Sequence, residues 1–257
     1  RIRAGELRKV VLAQALDVTL DAPLSVPDVL ARLGETYPEC HRFLVEPDPG
    51  EGRPRASFFG ATPERLVSLR GRDVETGALA GTTGRGDTPE EDAWLREELL
   101  GSDKNVHEHE LVVEAICDQL APLAGSVETG ERTVRRLATV QHLFTPIAAE
   151  LDADEHVLSL VEALHPTPAV GGLPPARALE TIRETEPFDR GWYAAPVGWF
   201  DAEGEGTFAV ALRSAVAEGT SATLFAGVGV VADSDPDSEW DEAQLKYRPI
   251  LDELEAR

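Results

Sequence analysis

Glu239, Glu242 and Lys246 fall at i, i+3 and i+7 in the stretch LFAGVGVVADSDPDSEWDEAQLK, Leu224 to Lys246. On a helix opening near Asp237 or Ser238 they would lie within about 60° of one another. Two carboxylates and an ammonium on one face form either a solvated ion-pair stripe or a site for a divalent cation and an anionic ligand. In the second case the helix supplies oxygen ligands, and the small residues Ala226, Gly227 and Gly229 expose backbone N–H groups.

Lysine is scarce: Lys9, Lys104 and Lys246 are the only ones among 24 basic residues. Where arginine would serve for solubility, a retained lysine points to a compact ammonium or to an amine that can be neutralised; chance retention is the other explanation. Glu64 follows an abrupt turn, Thr62-Pro63, at which proline fixes φ. Glu108 lies one turn before Leu111 and Val112, so it can point inward at the start of a helix.

The elements that must position these groups are legible in the hydrophobic pattern. KVVLAQALDVTL, opened by Lys9, is apolar on both faces and is predicted as an interior strand with the lysine at its mouth. Helices are predicted over Val26–Thr36, over PEEDAWLREELL and DKNVHEHELVVEAICDQL, and over Val157–Leu164 and Pro175–Thr185. Strands are predicted at Phe43–Val45, Ser57–Phe59, Leu66–Leu69, Val74–Leu79 and Leu137–Ile147, the last carrying His142. Val197–Phe200 and Phe208–Ala215 form a predicted hairpin that pairs with Ala222–Val231. Strands in hairpins and helices in separate blocks indicate an α+β fold with antiparallel sheet.

Composition narrows the partners. The sequence has 257 residues, 42% of them hydrophobic, enough for one large domain. Its net charge of −23 argues against nucleic acid or an anionic membrane as partner. Acid spread over most segments, with arginine nearly replacing lysine, suits a halophilic background, and a GC-rich genome would also favour arginine. No apolar run approaches membrane-spanning length and no signal-peptide pattern is present. Cys40 and Cys117 are too few for a disulfide framework, which fits a reducing cytoplasm. The first residue is Arg and there is no Met, so an excised portion of a longer protein is expected.

The motifs KVVLAQ, FFGATPERL, LAGT, KNVHEHELV, VQHLFTPI, HPTPAVGGLP, RGWYAAPVGWFD, VALRSA and AGVGVV-x5-D-x-E-x2-E-x3-K occur in this order along nearly the whole chain. Together they resemble the chorismate-binding domain shared by isochorismate, salicylate, anthranilate and aminodeoxychorismate synthases. The resemblance implies one catalytic domain over residues 1–257, built from helix-flanked antiparallel sheets and lacking the family's further N-terminal strands.

By resemblance, Glu108 and Glu242 match the family's Mg²⁺-binding glutamates, with Glu239 near enough to contribute through a water. The cation would hold the ring carboxylate of chorismate. Arg213 matches the arginine for the enolpyruvyl carboxylate, Gly227 would donate a backbone N–H to it, and Lys246 would add positive charge. Gly81 and Thr82 match the segment beneath the ring; His142, Ala169 and Tyr193 match residues of the same pocket.

The resemblance also bears on the attacking nucleophile. Ala80 stands where one amine-forming member type carries a nucleophilic lysine, and Lys9 where ammonia-dependent members carry glutamine. Lys9 therefore resembles the water-activating base of isochorismate and salicylate synthases, and must be uncharged to act. Glu64 matches the general acid for the leaving C4 hydroxyl and must keep its proton, which apolar Phe58, Phe59 and Pro63 would favour. Ala169 resembles isochorismate-forming rather than salicylate-forming members. Asn105, Val106 and Pro196 depart from the family pattern in loop and helix-start positions.

The expectation is thus a Mg²⁺-dependent isochorismate synthase (a hydroxymutase) serving menaquinone or siderophore synthesis. Salicylate synthase is the first alternative, and a catalytically inert acidic binding domain the second.

Overall fold

The computed structural model describes residues 1–48, 50 and 55–255. Strand β1 (Lys9–Thr19) shows how its sequence dictates placement. Its first half, apolar on both sides, is buried; its second half alternates between half-buried and exposed residues. It pairs antiparallel with β13 (Ser221–Val230) from Val10↔Val230 to Thr19↔Ser221. On its other edge Lys9 and Val10 pair with the two-residue β9 (Gly172–Leu173). Lys9 thus enters the interior of a sheet at its first residue.

That six-stranded sheet runs β2 (His41–Val45), β3 (Ser57–Thr62), β12 (Ser214–Glu218), β13, β1, β9. A second sheet of seven strands runs β10 (Pro196–Phe200), β11 (Gly206–Val210), β4 (Arg65–Arg70), β5 (Asp73–Gly84), β8 (Val140–Leu151), β6 (Ala124–Thr129), with β7 (Thr133–Arg136) also on β8. Strand pairing is antiparallel throughout, as expected for the α+β class.

Helices cover these sheets. A first core holds Leu66, Val67, Val74, Ile116, Ile147, Leu160, Val210 and Phe225, drawn from both sheets and from α3 (Asp103–Leu120) and α4 (Val157–Leu164). A second packs α1 (Val26–Thr36) and α6 (Pro236–Glu255) on the six-stranded sheet through Leu33, Phe59, Ala215, Leu224, Tyr247 and Ile250. Helix α5 (Pro175–Thr185) closes a smaller cluster with Leu7 and Val10. Helix α2 (Pro89–Gly101) is capped by Thr88, whose hydroxyl accepts from the Glu91 N–H. No helix among the described residues is long and apolar enough to cross a membrane.

The α1, α4 and α5 spans coincide with the sequence expectation. The predicted strand Phe208–Ala215 does not form as one piece. β11 ends at Val210 in the seven-stranded sheet and β12 begins at Ser214 in the six-stranded one. Between them Arg213 adopts a left-handed φ of 48°, a conformation costly for a side chain of its size. The run is apolar because both ends are buried, so its periodicity conceals the change of sheet. Strands β6 and β7 were also not expected; mostly exposed and polar, they are held by pairing to β8.

Candidate active site

A single cavity is lined by Lys9, Glu64, Gly81, Thr82, Glu108, His142, Ala169, Tyr193, Arg213, Gly227, Glu242 and Lys246. The base and acid expected at opposite ends of one ring therefore face the same space. Lys9 is 1% exposed and Glu64 7%. Glu239, although buried, lines the adjoining cleft with Lys104 and Glu242 rather than this cavity.

Local backbone features set these side chains in place. The β5–β8 ladder shifts register between Ala80 and Thr82, with Gly81 at φ 75°. Glycine accommodates that angle without strain, and the bulge re-aims Ala80–Thr82 at the cavity. A methyl at Gly229 would sit 2.0 Å from Glu108 Oε1 and 2.8 Å from Lys9 Cε. The bare backbone there leaves room for those two side chains to meet. A methyl at Gly227 would approach the Tyr193 hydroxyl to 2.8 Å, and the Tyr193 ring stacks on Phe225 with centroids 5.2 Å apart. The Gly227 carbonyl accepts a hydrogen bond from Lys246 Nζ at 2.8 Å. Helix α6 opens at Pro236, with Asp235 Oδ1 accepting from the Ser238 N–H.

Every lysine stands against a carboxylate of this region. Lys9 Nζ is 3.0 Å from Glu108 Oε1, and Lys246 Nζ is 2.6 Å from Glu242 Oε1. Lys104 Nζ lies 2.6 Å from Glu239 Oε1 and 3.6 Å from Glu108 Oε2. Burial pushes the Glu108 carboxyl upward, but Lys9 and Lys104 outweigh it and hold the group below its ordinary value. Glu64 goes the other way. Burial raises it from 4.5 to about 7 although Lys9, Arg213 and Lys246 oppose the shift. It is a carboxyl that can carry a proton near neutrality.

Arg213 Nη2 donates to His142 Nε2 at 3.0 Å, and His142 Nδ1 is 3.1 Å from Thr82 Oγ1. Because Nε2 accepts, the ring proton sits on Nδ1 and the hydroxyl of Thr82 receives it. Burial, then the Arg213 charge, holds His142 well below its usual value, so the imidazole is neutral. The guanidinium keeps its Nε–H buried and without a hydrogen-bond partner, and unspent donors of this kind suit a carboxylate.

Two residues of the region had no assigned role in the sequence. Arg190 lines the cavity, donating to the Val170 and Val11 carbonyls at 2.8 and 2.9 Å and pairing with Glu186. Its position in the RGWY motif and its i+4 spacing from Glu186 were the available signals. Lys104 was marked only by its scarcity. Its place four residues before Glu108 is the helical signal that pairs them.

Among the described residues, no three or more of His, Cys, Asp and Glu converge in metal-holding geometry. Glu108, Glu239 and Glu242 are instead each met by an ammonium. The donors themselves suit a hard cation. Glu108 and Glu242 line one cavity, and neither oxygen of buried Glu239 has a well-formed hydrogen bond. One or two carboxylates completed by water are what Mg²⁺ ordinarily takes from a protein.

Two antiparallel sheets flanked by helices, with a buried cavity that gathers Lys9, Glu64, Arg213 and Lys246 between them, are the architecture of a chorismate-binding enzyme. The chain belongs to that family, whose model, described as chorismate binding enzyme, matches residues 1–255. It is 42% identical over 255 residues to the isochorismate synthase MenF of Bacillus subtilis (strain 168), covering 99% of this chain and 53% of that protein. It is 45% identical over 256 residues to the salicylate biosynthesis isochorismate synthase of Pseudomonas aeruginosa, covering 99% of this chain and 52% of that protein. Among solved structures, MenF, the menaquinone-specific isochorismate synthase from Escherichia coli, superposes with a TM-score of 0.88 at 36% identity. That match covers 98% of this chain and 57% of the other. The chain thus spans about half the length of these relatives.

Proposed function

We propose that this chain carries the catalytic site of an isochorismate synthase, an isomerase that converts chorismate to isochorismate. The observation that carries this reading is the placement of Lys9 and Glu64, both buried, on one cavity with Arg213, which has an unspent donor. Relatives named as isochorismate synthases support it.

Lys9, as the free amine, takes a proton from a water molecule whose oxygen forms a bond to C2 of the ring. The two ring double bonds shift, and the C4–O bond breaks. Glu64 gives its proton to the departing oxygen, so one water is consumed and one released. Afterwards Lys9 carries an extra proton and Glu64 lacks one; exchange with solvent resets both. Acid and base of this kind each contribute about 10²–10⁴-fold when well placed.

Arg213 would receive the enolpyruvyl carboxylate through its free Nε–H, with His142 fixing the guanidinium plane and Lys246 adding charge. Gly81 and Thr82 would support the ring from the bulged strand, while Ala169 and Tyr193 shape the wall. Mg²⁺ held by Glu108 and Glu242, with Glu239 behind them, would supply positive charge to the ring carboxylate. In the ion-paired arrangement Glu108 occupies the Lys9 ammonium, so the base is competent only when that pair is relaxed.

The test is Lys9→Gln assayed with chorismate and Mg²⁺ by HPLC. Isochorismate formation should fall at least about 100-fold while chorismate affinity stays near that of the parent. Retained isochorismate formation overturns the base assignment. Salicylate fluorescence in the same assay would instead assign the pyruvate-eliminating reaction. Menaquinone synthesis is the proposed destination of the product, supported by the likeness to the menaquinone-specific MenF of Escherichia coli, with siderophore synthesis second.

A further inference from the structure

We infer that Lys104 is a built-in competitor for the divalent cation, occupying the carboxylates until the cation displaces its ammonium. The inference rests on Glu108 and Glu242 holding the cation with Glu239 behind them, as proposed above. Lys104 Nζ stands between Glu239 on α6 and Glu108 on α3, at 2.6 and 3.6 Å. An ammonium bridging carboxylates of two separate helices fills the position that an oxygen-seeking cation would take.

Three further observations distinguish Lys104 from the other two lysines. Lys9 and Lys246 line the inner cavity, whereas Lys104 lines the outer cleft with Asp233, Asp235 and Asp241. Its side chain is 22% exposed against 1% for Lys9 and 13% for Lys246, so it can swing into water without crossing the core. Glu239 is also left buried with no well-formed hydrogen bond on either oxygen. Lys104 therefore gives it charge but poor geometry, which a cation with its waters would improve. A lysine suits this task where an arginine would not, because a compact ammonium on a flexible stem releases more easily than a bidentate fork. The acidic rim of the cleft would concentrate cations at the point of exchange.

The experiment is calorimetric titration of Mg²⁺, and of Mn²⁺ as a second probe, into the cation-free protein and its Lys104→Met and Lys104→Gln variants. Removing the competitor should tighten cation binding by about tenfold or more, because the ligand-competent state no longer has to be won from an internal rival. Without cation the variants should melt below the parent, and saturating Mg²⁺ should close the gap. In the parent labelled at lysine ¹³Cε, only three signals exist, and the Lys104 signal should move toward that of free lysine as Mg²⁺ is added. Equal or weaker binding by folded variants, or an unmoved Lys104 signal on binding, overturns the inference while leaving the cation site intact. Absence of cation binding in parent and variants alike overturns the cation site and this inference together. Loss of binding in Glu239→Gln, with Lys104→Met tightened, supports both.

Discussion

Glu64 joins a proton to a position. Its folded value of about 7 lies above the 4.5 of an ordinary glutamate, so the folded chain holds the proton more tightly than the unfolded one. Stability from this group is fullest below about pH 4.5 and declines as pH rises toward about 7, by at most about 3 kcal/mol. Glu64→Gln removes the decline. Urea unfolding at stepped pH should show the variant gaining on the parent between those limits, and parallel curves would sink the assignment. Turnover should also fall above about pH 7, as the acid loses its proton. At this scale a shared place on one cavity was legible in the sequence where a motif carried the residue, as for Lys9, Glu64 and Arg213. It was silent where a role depends on a partner from another element. The Lys104–Glu239 contact joins α3 to α6, and no spacing along one helix reveals it.

Among the elements, the strands meeting the cavity are shaped by glycines and by one strained arginine. Gly229→Ala should force apart Lys9 and Glu108, since the added methyl would fall 2.0 Å from Glu108 Oε1. A loss of about 1–3 kcal/mol is expected from overpacking at a buried site, read from the urea midpoint. An unchanged midpoint would show that the pair can yield without cost. Helices α1, α4 and α5 carry amphipathic stripes and fall where the sequence placed them. The 124–136 segment carries no such stripe. Its strands are recruited by β8 through backbone hydrogen bonding, which side-chain periodicity does not record. The β11–β12 break was hidden for the opposite reason, because two buried strands in different sheets abut in sequence.

For the whole molecule, charge is the dominant feature. A net −23 sets most of the surface against itself, and the self-repulsion weakens as the Debye length shrinks from about 10 Å at 0.1 M salt to about 3 Å at 1 M. The thermal midpoint should therefore rise with added KCl over that range, and a flat or falling midpoint would dispose of the halophilic expectation. The α+β class could be anticipated at this scale from strands in hairpins and helices in separate blocks, and the antiparallel sheets from the family that the motifs resemble.

The pairing of β1 with β13 has a temporal consequence. Val10 meets Val230, so β1 waits for its long antiparallel partner until the whole segment between them has left the ribosome. Lys9 acquires its setting only then. Slow folding of this sheet is the expected consequence of so long a closure.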